Sequence, residues 1–355
     1  MVMNEHVPPL PPEPSLSALK AAARHGHSDR AFEAHVEALR SFLGGELERV
    51  EDELPQALAG SIEPLVATGV HLLQAGGKRI RPILTLLAAG SVGVWGPDVR
   101  RLACAGELVH LATLLHDDVI DDADTRRNRP TPRVVWSNTA SVLGGDYALT
   151  RALDLVGRVP STEPLMEAVQ TLRELVEGEI LQLKHRGQVT MTRPEYEDII
   201  HRKTASLFRW CCRAGVWLGD SSHVQAFGRF GTSLGLCFQV VDDVLDFTAT
   251  SAQTGKDRFA DLREGKLTLP LLIALEQEPE FREELAALLK RSDDLQASTA
   301  GVLLPLLERT RALEQAREVA LGHATAALFA LDSVPDGAHA EALRAIAQAL
   351  AGRMR

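Results

Sequence analysis

From Arg30 onward the hydrophobic positions recur three and four apart, and Phe32, Val36, Leu39, Phe42 and Leu43 would line one face of a helix. The spacing persists to the end of the chain. Short runs of turn-forming residues interrupt it at Gly76-Gly77, Gly96-Pro97, Asn128 to Pro132, Gly157 to Pro164, Arg186 to Pro194, Gly219 to Ser222, Thr250 to Gly265 and Pro335-Asp336-Gly337. No alternating apolar and polar stretch and no hairpin signal competes with the helical period. In Leu84 to Ala89 and Leu102 to Leu115 apolar residues populate more than one face, which marks helices interior to a bundle. The pattern predicts an all-α protein, a single large antiparallel helical bundle around a central cavity, over residues 30–355. Residues 1–29, with Pro8, Pro9, Pro11, Pro12 and Pro14, read as a disordered lead.

Composition supports this. Hydrophobic residues make up 45% of the 355 positions but aromatics only 5%, and Leu and Ala lose little in a helix. A net charge of -10 argues against a nucleic-acid partner, because phosphate backbones are held by surplus Lys and Arg. Cys104, Cys211, Cys212 and Cys237 show no C-x-x-C spacing and lie in apolar contexts, as buried thiols of a reducing compartment would. The first residues lack a basic start followed by an apolar run, and no stretch reaches the roughly 18 apolar residues of a membrane span. A cytoplasmic protein without a transmembrane segment is expected.

Two acidic clusters change the picture. Leu114 to Asp122 reads L-L-H-D-D-V-I-D-D and Gln239 to Asp246 reads Q-V-V-D-D-V-L-D. Asp117 and Asp121, and likewise Asp242 and Asp246, fall four apart on one helix face, where like charges repel. Carboxylates among Val, Ile and Leu are costly unless paired or metal-bound. Two such faces predict divalent cations in a shared site, with the open oxygen coordination that magnesium takes when phosphates complete its shell. An EF-hand is excluded, since neither segment has alternating acids with Gly at the sixth loop position.

Cations face these acids. Gly76-Gly77-Lys78-Arg79-Ile80-Arg81-Pro82 sets two flexible residues before three cations and a helix with Pro82 at an N1-like position, the makings of a phosphate grip. Arg126 and Arg127 follow the first cluster closely enough to clamp the same phosphates, or else neutralise Asp121 to Asp124. His110 precedes Asp117 by seven residues and points toward the same cavity, whereas His116 either packs between helices or supports the metal carboxylates. Lys203-Thr204 interrupts an apolar helix, Gln239 shares a face with Asp242 and Asp243, and Lys256 and Lys266 follow the second cluster.

The ordered set G-G-K-R-x-R-P, D-D-x-x-D with R-R, K-T, F-Q-x-x-D-D-x-x-D and G-K resembles the trans-isoprenyl diphosphate synthases of the polyprenyl synthetase family over residues 40–350. The resemblance implies an isoprenoid synthase fold and a homodimer. It implies three magnesium ions bound with an allylic diphosphate through Asp117, Asp121 and Asp242, supported by Asp118, Asp243 and Asp246. Arg126, Lys203, Lys256 and Lys266 would hold that diphosphate, Lys78, Arg81, His110 and Arg127 would hold isopentenyl diphosphate, and Thr204 and Gln239 would contact the allylic substrate. Asn128 departs from the Gly common in the family after the Arg pair, though Asn tolerates left-handed backbone.

Val109, Ala112 and Thr113 lie where the growing tail would run, at about 1.5 Å per residue below Asp117. They are small, so a product of geranylgeranyl length or longer is expected. A class I terpene cyclase would lack the Lys78 and Arg81 grip, an HD-type phosphohydrolase would leave the second cluster unexplained, and a non-catalytic subunit of a heteromeric synthase would carry degraded Asp motifs. Ala112→Phe is expected to shorten the product, read by chromatography; unchanged lengths would remove Ala112 from the tunnel wall.

Overall fold

The computed structural model describes residues 29–60, 62–248, 258–289 and 295–353, with the side chains of 29–31 and 295–300 left aside. Its long helices are α1 (Asp29–Leu43), α2 (Gly45–Ala57), α3 (Glu63–Gln74), α4 (Ile80–Ser91), α5 (Pro97–Ile120), α6 (Asn138–Gly157), α7 (Glu163–His185), α8 (Arg193–Ile200), α9 (Ser206–Ala214), α10 (Val224–Thr248), α11 (Leu269–Gln277), α12 (Arg282–Leu289), α13 (Leu295–Arg309), α14 (Ala312–Ala330) and α15 (Ala338–Gly352). The all-α expectation holds.

Local chemistry sets the boundaries. Pro sits in the first turn of α3, α5, α7, α8 and α11, where its missing N–H is no loss. Thr192 and Glu195 form a reciprocal capping box at the start of α8. Two sequence expectations need correcting. Helix α4 opens at Ile80 after Arg79 in left-handed conformation (φ 52°), so Pro82 is its third residue rather than its first. A hairpin also exists: Thr125–Arg126 pairs antiparallel with Arg129–Pro130 across Arg127 (φ 52°) and Asn128 (φ 60°). Two consecutive left-handed residues make the turn that matches strand twist, and the left-handed tolerance of Asn128 was its only sequence signal.

The core is one contiguous cluster. Helix α5 is buried nearly all round and packs between α4 and α6, and α10 packs against α9 and α14. These are the two helices that carry the aspartates. The four cysteines are free and buried. Among the described residues no helix is long and apolar enough to cross a membrane.

Two histidines are interior. His35 is fully buried, and His339 packs edgewise between the rings of Phe42 and Trp95 at centroid distances of 5.2 and 4.8 Å. Burial disfavours the imidazolium and pushes each pKa down to about 4. The unfolded chain therefore binds more protons between pH 6.5 and 4, so the stability these groups contribute is complete above pH 6.5 and is lost as pH falls toward 4. For His339 alone the loss is about 3 kcal/mol. His339→Phe, which keeps the ring packing, is expected to flatten the fall in melting temperature between pH 6.5 and 4; an unchanged slope would contradict a buried neutral imidazole.

Candidate active site

Both aspartate motifs sit at the C-terminal ends of their helices. Asp117 and Asp118 lie in the last turn of α5, which has no basic residue there, and Asp121 is its C-cap. Acids at a helix C-terminus oppose the macrodipole, so countercharge has to come from elsewhere in the fold. Lys266 Nζ donates to Asp121 Oδ2 at 2.9 Å, and Arg186 lies 3.3 Å from Oδ1 while also donating to the Ile120 carbonyl. Asp118 is fully buried; Arg126 Nε donates to its Oδ1 at 2.7 Å, and its Oδ2 is buried without a hydrogen-bond partner. Burial holds the Asp117 carboxyl up at about 6, opposed by the nearby Lys203 charge.

The second motif is tied down differently. Asp243 is buried and accepts from Tyr196 Oη at 2.5 Å and from Gln239 Nε2 at 2.8 Å, while Gln239 Oε1 accepts from Thr204 Oγ1 at 2.7 Å. Burial raises the Asp243 pKa, reinforced by Asp261. Asp246 Oδ1 caps the short helix at Ala260 by accepting its N–H at 2.9 Å. Asp242 lies 3.7 Å from Arg353, whose guanidinium covers the Phe32 ring. The two ends of the described chain thus meet at the second motif.

Lys203 and Thr204 sit in a π-helical turn, His201–Ala205, between α8 and α9. Such turns interrupt the α-helical ladder and are frequent at functional sites. Glycines on the flanking helices hold it: a Cβ on Gly178 would stand 2.7 Å from Arg202 Cβ, and one on Gly235 would stand 2.6 Å from Ala205 Cα. Lys203 pairs with Glu179 of α7.

The second set of cations gathers beside α5. Arg81 and Arg127 are buried enough that desolvation lowers both pKa values, and Arg81, Arg127, Arg126 and Arg79 all press on His110, which burial keeps neutral. Arg127 reaches the Gly77 backbone, where a Cβ would meet its Nη1 at 3.1 Å. Arg81 lies over the Phe208 ring at 5.3 Å. The charge of Glu107 acts on both Arg81 and Arg127, and Arg79 takes it at 2.8 Å while donating to the Leu73 carbonyl. That leaves a cluster of positive charge suited to an anion.

The matching proteins decide the family. The polyprenyl synthetase family model matches residues 63–302. The chain belongs to the polyprenyl synthetase family. It is 37% identical over 302 residues to "Heptaprenyl diphosphate synthase component 2" of Geobacillus stearothermophilus, covering 84% of this chain and 93% of that protein. It is 34% identical over 329 residues to the octaprenyl diphosphate synthase of Escherichia coli K12, covering 90% of this chain and all of that protein. The crystal structure of a decaprenyl diphosphate synthase from Rhodobacter capsulatus superposes with a TM-score of 0.84 at 34% identity, covering 90% and 99%. The family resemblance read from the motifs and the isoprenoid synthase fold both hold.

Within this polyprenyl synthetase twelve of the positions singled out from sequence fall into three groups. Asp117, Asp118, Asp121, Arg126, Lys203 and Lys266 gather at one mouth; Arg81, His110 and Arg127 form the positive cluster; Thr204, Gln239 and Asp243 form one hydrogen-bonded relay. Lys78 lies 5.0 Å from the Phe32 ring centroid and 4.0 Å from Glu33. His116 packs against Gly145 of α6, 3.1 Å from the Val142 carbonyl, and so stands between helices. Thr113 bonds to the His110 carbonyl, Ala112 is fully buried, and Val109 lines an interior cavity. Lys256 lies outside the described residues. Sequence reading missed Glu107, Glu179, Arg186, Tyr196 and Arg353; of these only Glu107, an acid inside an apolar helix, carried a visible signal.

Among the described residues no three His, Cys, Asp or Glu side chains close around one point. A divalent cation nonetheless fits, because the donors are hard carboxylate oxygens and Asp118 Oδ2 is a buried acceptor in need of positive charge. Carboxylates must be deprotonated to bind it, so with Asp117 held up near 6, affinity for magnesium alone is expected to fall about tenfold per pH unit below 6 and to level off above 7. Calorimetric titration across that range checks the sign; pH-independent affinity would contradict it.

Proposed function

We propose that this chain condenses isopentenyl diphosphate with an allylic diphosphate, head to tail and in the trans sense, releasing pyrophosphate. The arrangement that supports this reading most is the pair of separate charge clusters on one bundle, the aspartates with Arg126, Lys203 and Lys266 and, beside them, Arg81, Arg127 and His110. A cyclase or a hydrolase handles one diphosphate. A chain-elongating enzyme handles two.

Asp117, Asp121 and Asp242 would hold magnesium, with Asp118, Asp243 and Asp246 behind them; when bound, the ions supply Lewis-acid polarisation of the allylic diphosphate. Lys203, Lys266 and Arg126 stand where negative charge develops on the departing group. Arg81, Arg127 and neutral His110 hold isopentenyl diphosphate so that its double bond faces the allylic carbon, and the departing pyrophosphate takes the proton lost after attack. The Thr204, Gln239, Asp243 and Tyr196 relay locks the polar wall of the pocket. The buried apolar faces of α5, α7 and α9 exclude the water that would quench an allylic cation. We place the product at geranylgeranyl length or longer, in keeping with the heptaprenyl and octaprenyl names of the relatives, and the enzyme in the cytoplasm.

A homodimer completes the proposal. Met166, Val169, Val176, Ile180 and Leu183 recur three, seven, four and three apart on α7 and are exposed, as are Val142 and Leu143 of α6. An apolar face of this extent marks an interaction surface. The name of the Geobacillus relative, a "component 2", makes a different partner subunit the competing occupant.

Incubation with magnesium, isopentenyl diphosphate and each allylic diphosphate, followed by sizing of products, tests the reaction; no condensation with any primer would defeat it, and cyclic hydrocarbon would favour the cyclase. Arg81→Ala and Arg127→Ala are each expected to raise KM for isopentenyl diphosphate about 10- to 100-fold while leaving the allylic KM within threefold, as loss of a charge-assisted bond implies. Sedimentation should show a dimer that Ile180→Glu dissociates; a monomeric wild type would refute self-association.

A further inference from the structure

We propose that the Trp210 indole is the floor of the tail cavity and decides where chain growth stops. This rests on the elongation reading above. Three elements measure the same depth. Asp117, Glu179 and Lys203 stand together at the mouth, since Glu179 pairs with Lys203 and both charges act on Asp117. Eight residues along α5 from Asp117 is Val109, eight along α7 from Glu179 is Thr171, and seven beyond Lys203 is Trp210 of α9. Each step is about 10 to 12 Å at the helical rise. These three residues line one interior cavity with Ala152, Val156 and Leu172.

The indole is pinned across the bottom. Its Nε1–H donates to the Pro164 carbonyl at the start of α7 at 2.9 Å. Its benzo edge lies against α5 at Gly106, where a Cβ would stand 3.3 Å from Cζ3. Trp210 is 2% exposed, so the ring closes the space rather than lining an open channel. The cavity amounts to about 10 Å³, room for no more than one water. An extended isoprene unit advances roughly 5 Å over four carbon–carbon bonds of about 1.5 Å. A primer tail of two to three units therefore reaches this level, one condensation on a three-unit primer gives the geranylgeranyl length, and each further unit has to displace the pinned ring or turn aside between α6 and α7.

The test compares product-length distributions, per amount of primer consumed, for wild type, Trp210→Leu and Ala152→Leu, with thermal melting to verify that each variant is folded. Removing the indole is expected to lengthen the main product by at least one isoprene unit, and filling the cavity from α6 to shorten it by at least one. Trp210→Phe, which keeps a ring but loses the bond to Pro164, should broaden the distribution toward longer products. Folded variants that all return the wild-type distribution overturn the floor. A wild type that condenses no primer overturns the elongation reading itself, a separate result.

Discussion

Everything at the mouth of this bundle follows from placing carboxylates at the C-terminal ends of two buried helices. Burial disfavours the charged form there, and for Asp117 and Asp118, in the last turn of α5, the helix dipole does too. Asp118 is fully buried, and burial raises the pKa of Asp117 and of Asp243. The fold answers with cations delivered from remote segments: Lys203 from the π-turn, Arg186 from the end of α7, Lys266 from the loop before α11, Arg353 from the C-terminal end of the described chain. Each pairs or lies near an acid in this structure.

The positive cluster beside α5 is the complement of that arrangement. Arginines crowd around His110, the charge of Glu107 acts on both Arg81 and Arg127, and Arg79 takes most of Glu107 for itself. The division of labour is physical. Arg79, in left-handed backbone and bonded to a carbonyl and a carboxylate, is fixed as structure, whereas Arg81 and Arg127 carry charge that an anion can use. The contiguous apolar core lies behind both clusters.

Legibility from sequence followed the kind of interaction involved. The helices, the burial of α5 and the aspartate faces were readable because period and residue type are local properties. So was the grouping of Arg81, His110 and Arg127, though only through the motif order. The hairpin at Arg127 and Asn128 was not, because it rests on two left-handed residues with a weak Asn signal. The start of α4 was misplaced because Pro82 is tolerated anywhere in a first turn. The π-turn around Lys203 had no sequence signal at all; it depends on Gly178 and Gly235 letting two neighbouring helices approach.

The chain's own pattern determined that there would be helices, that two of them would carry uncompensated carboxylates, and that cations would have to meet those charges, since each conclusion needs only residue type and spacing. Tertiary structure alone decided which cation serves which acid, that His116 faces α6 rather than the aspartates, and that Trp210 spans from Pro164 to Gly106 beside a small interior cavity. Those outcomes depend on distances between segments far apart in sequence, and packing sets such distances only once the whole bundle has closed.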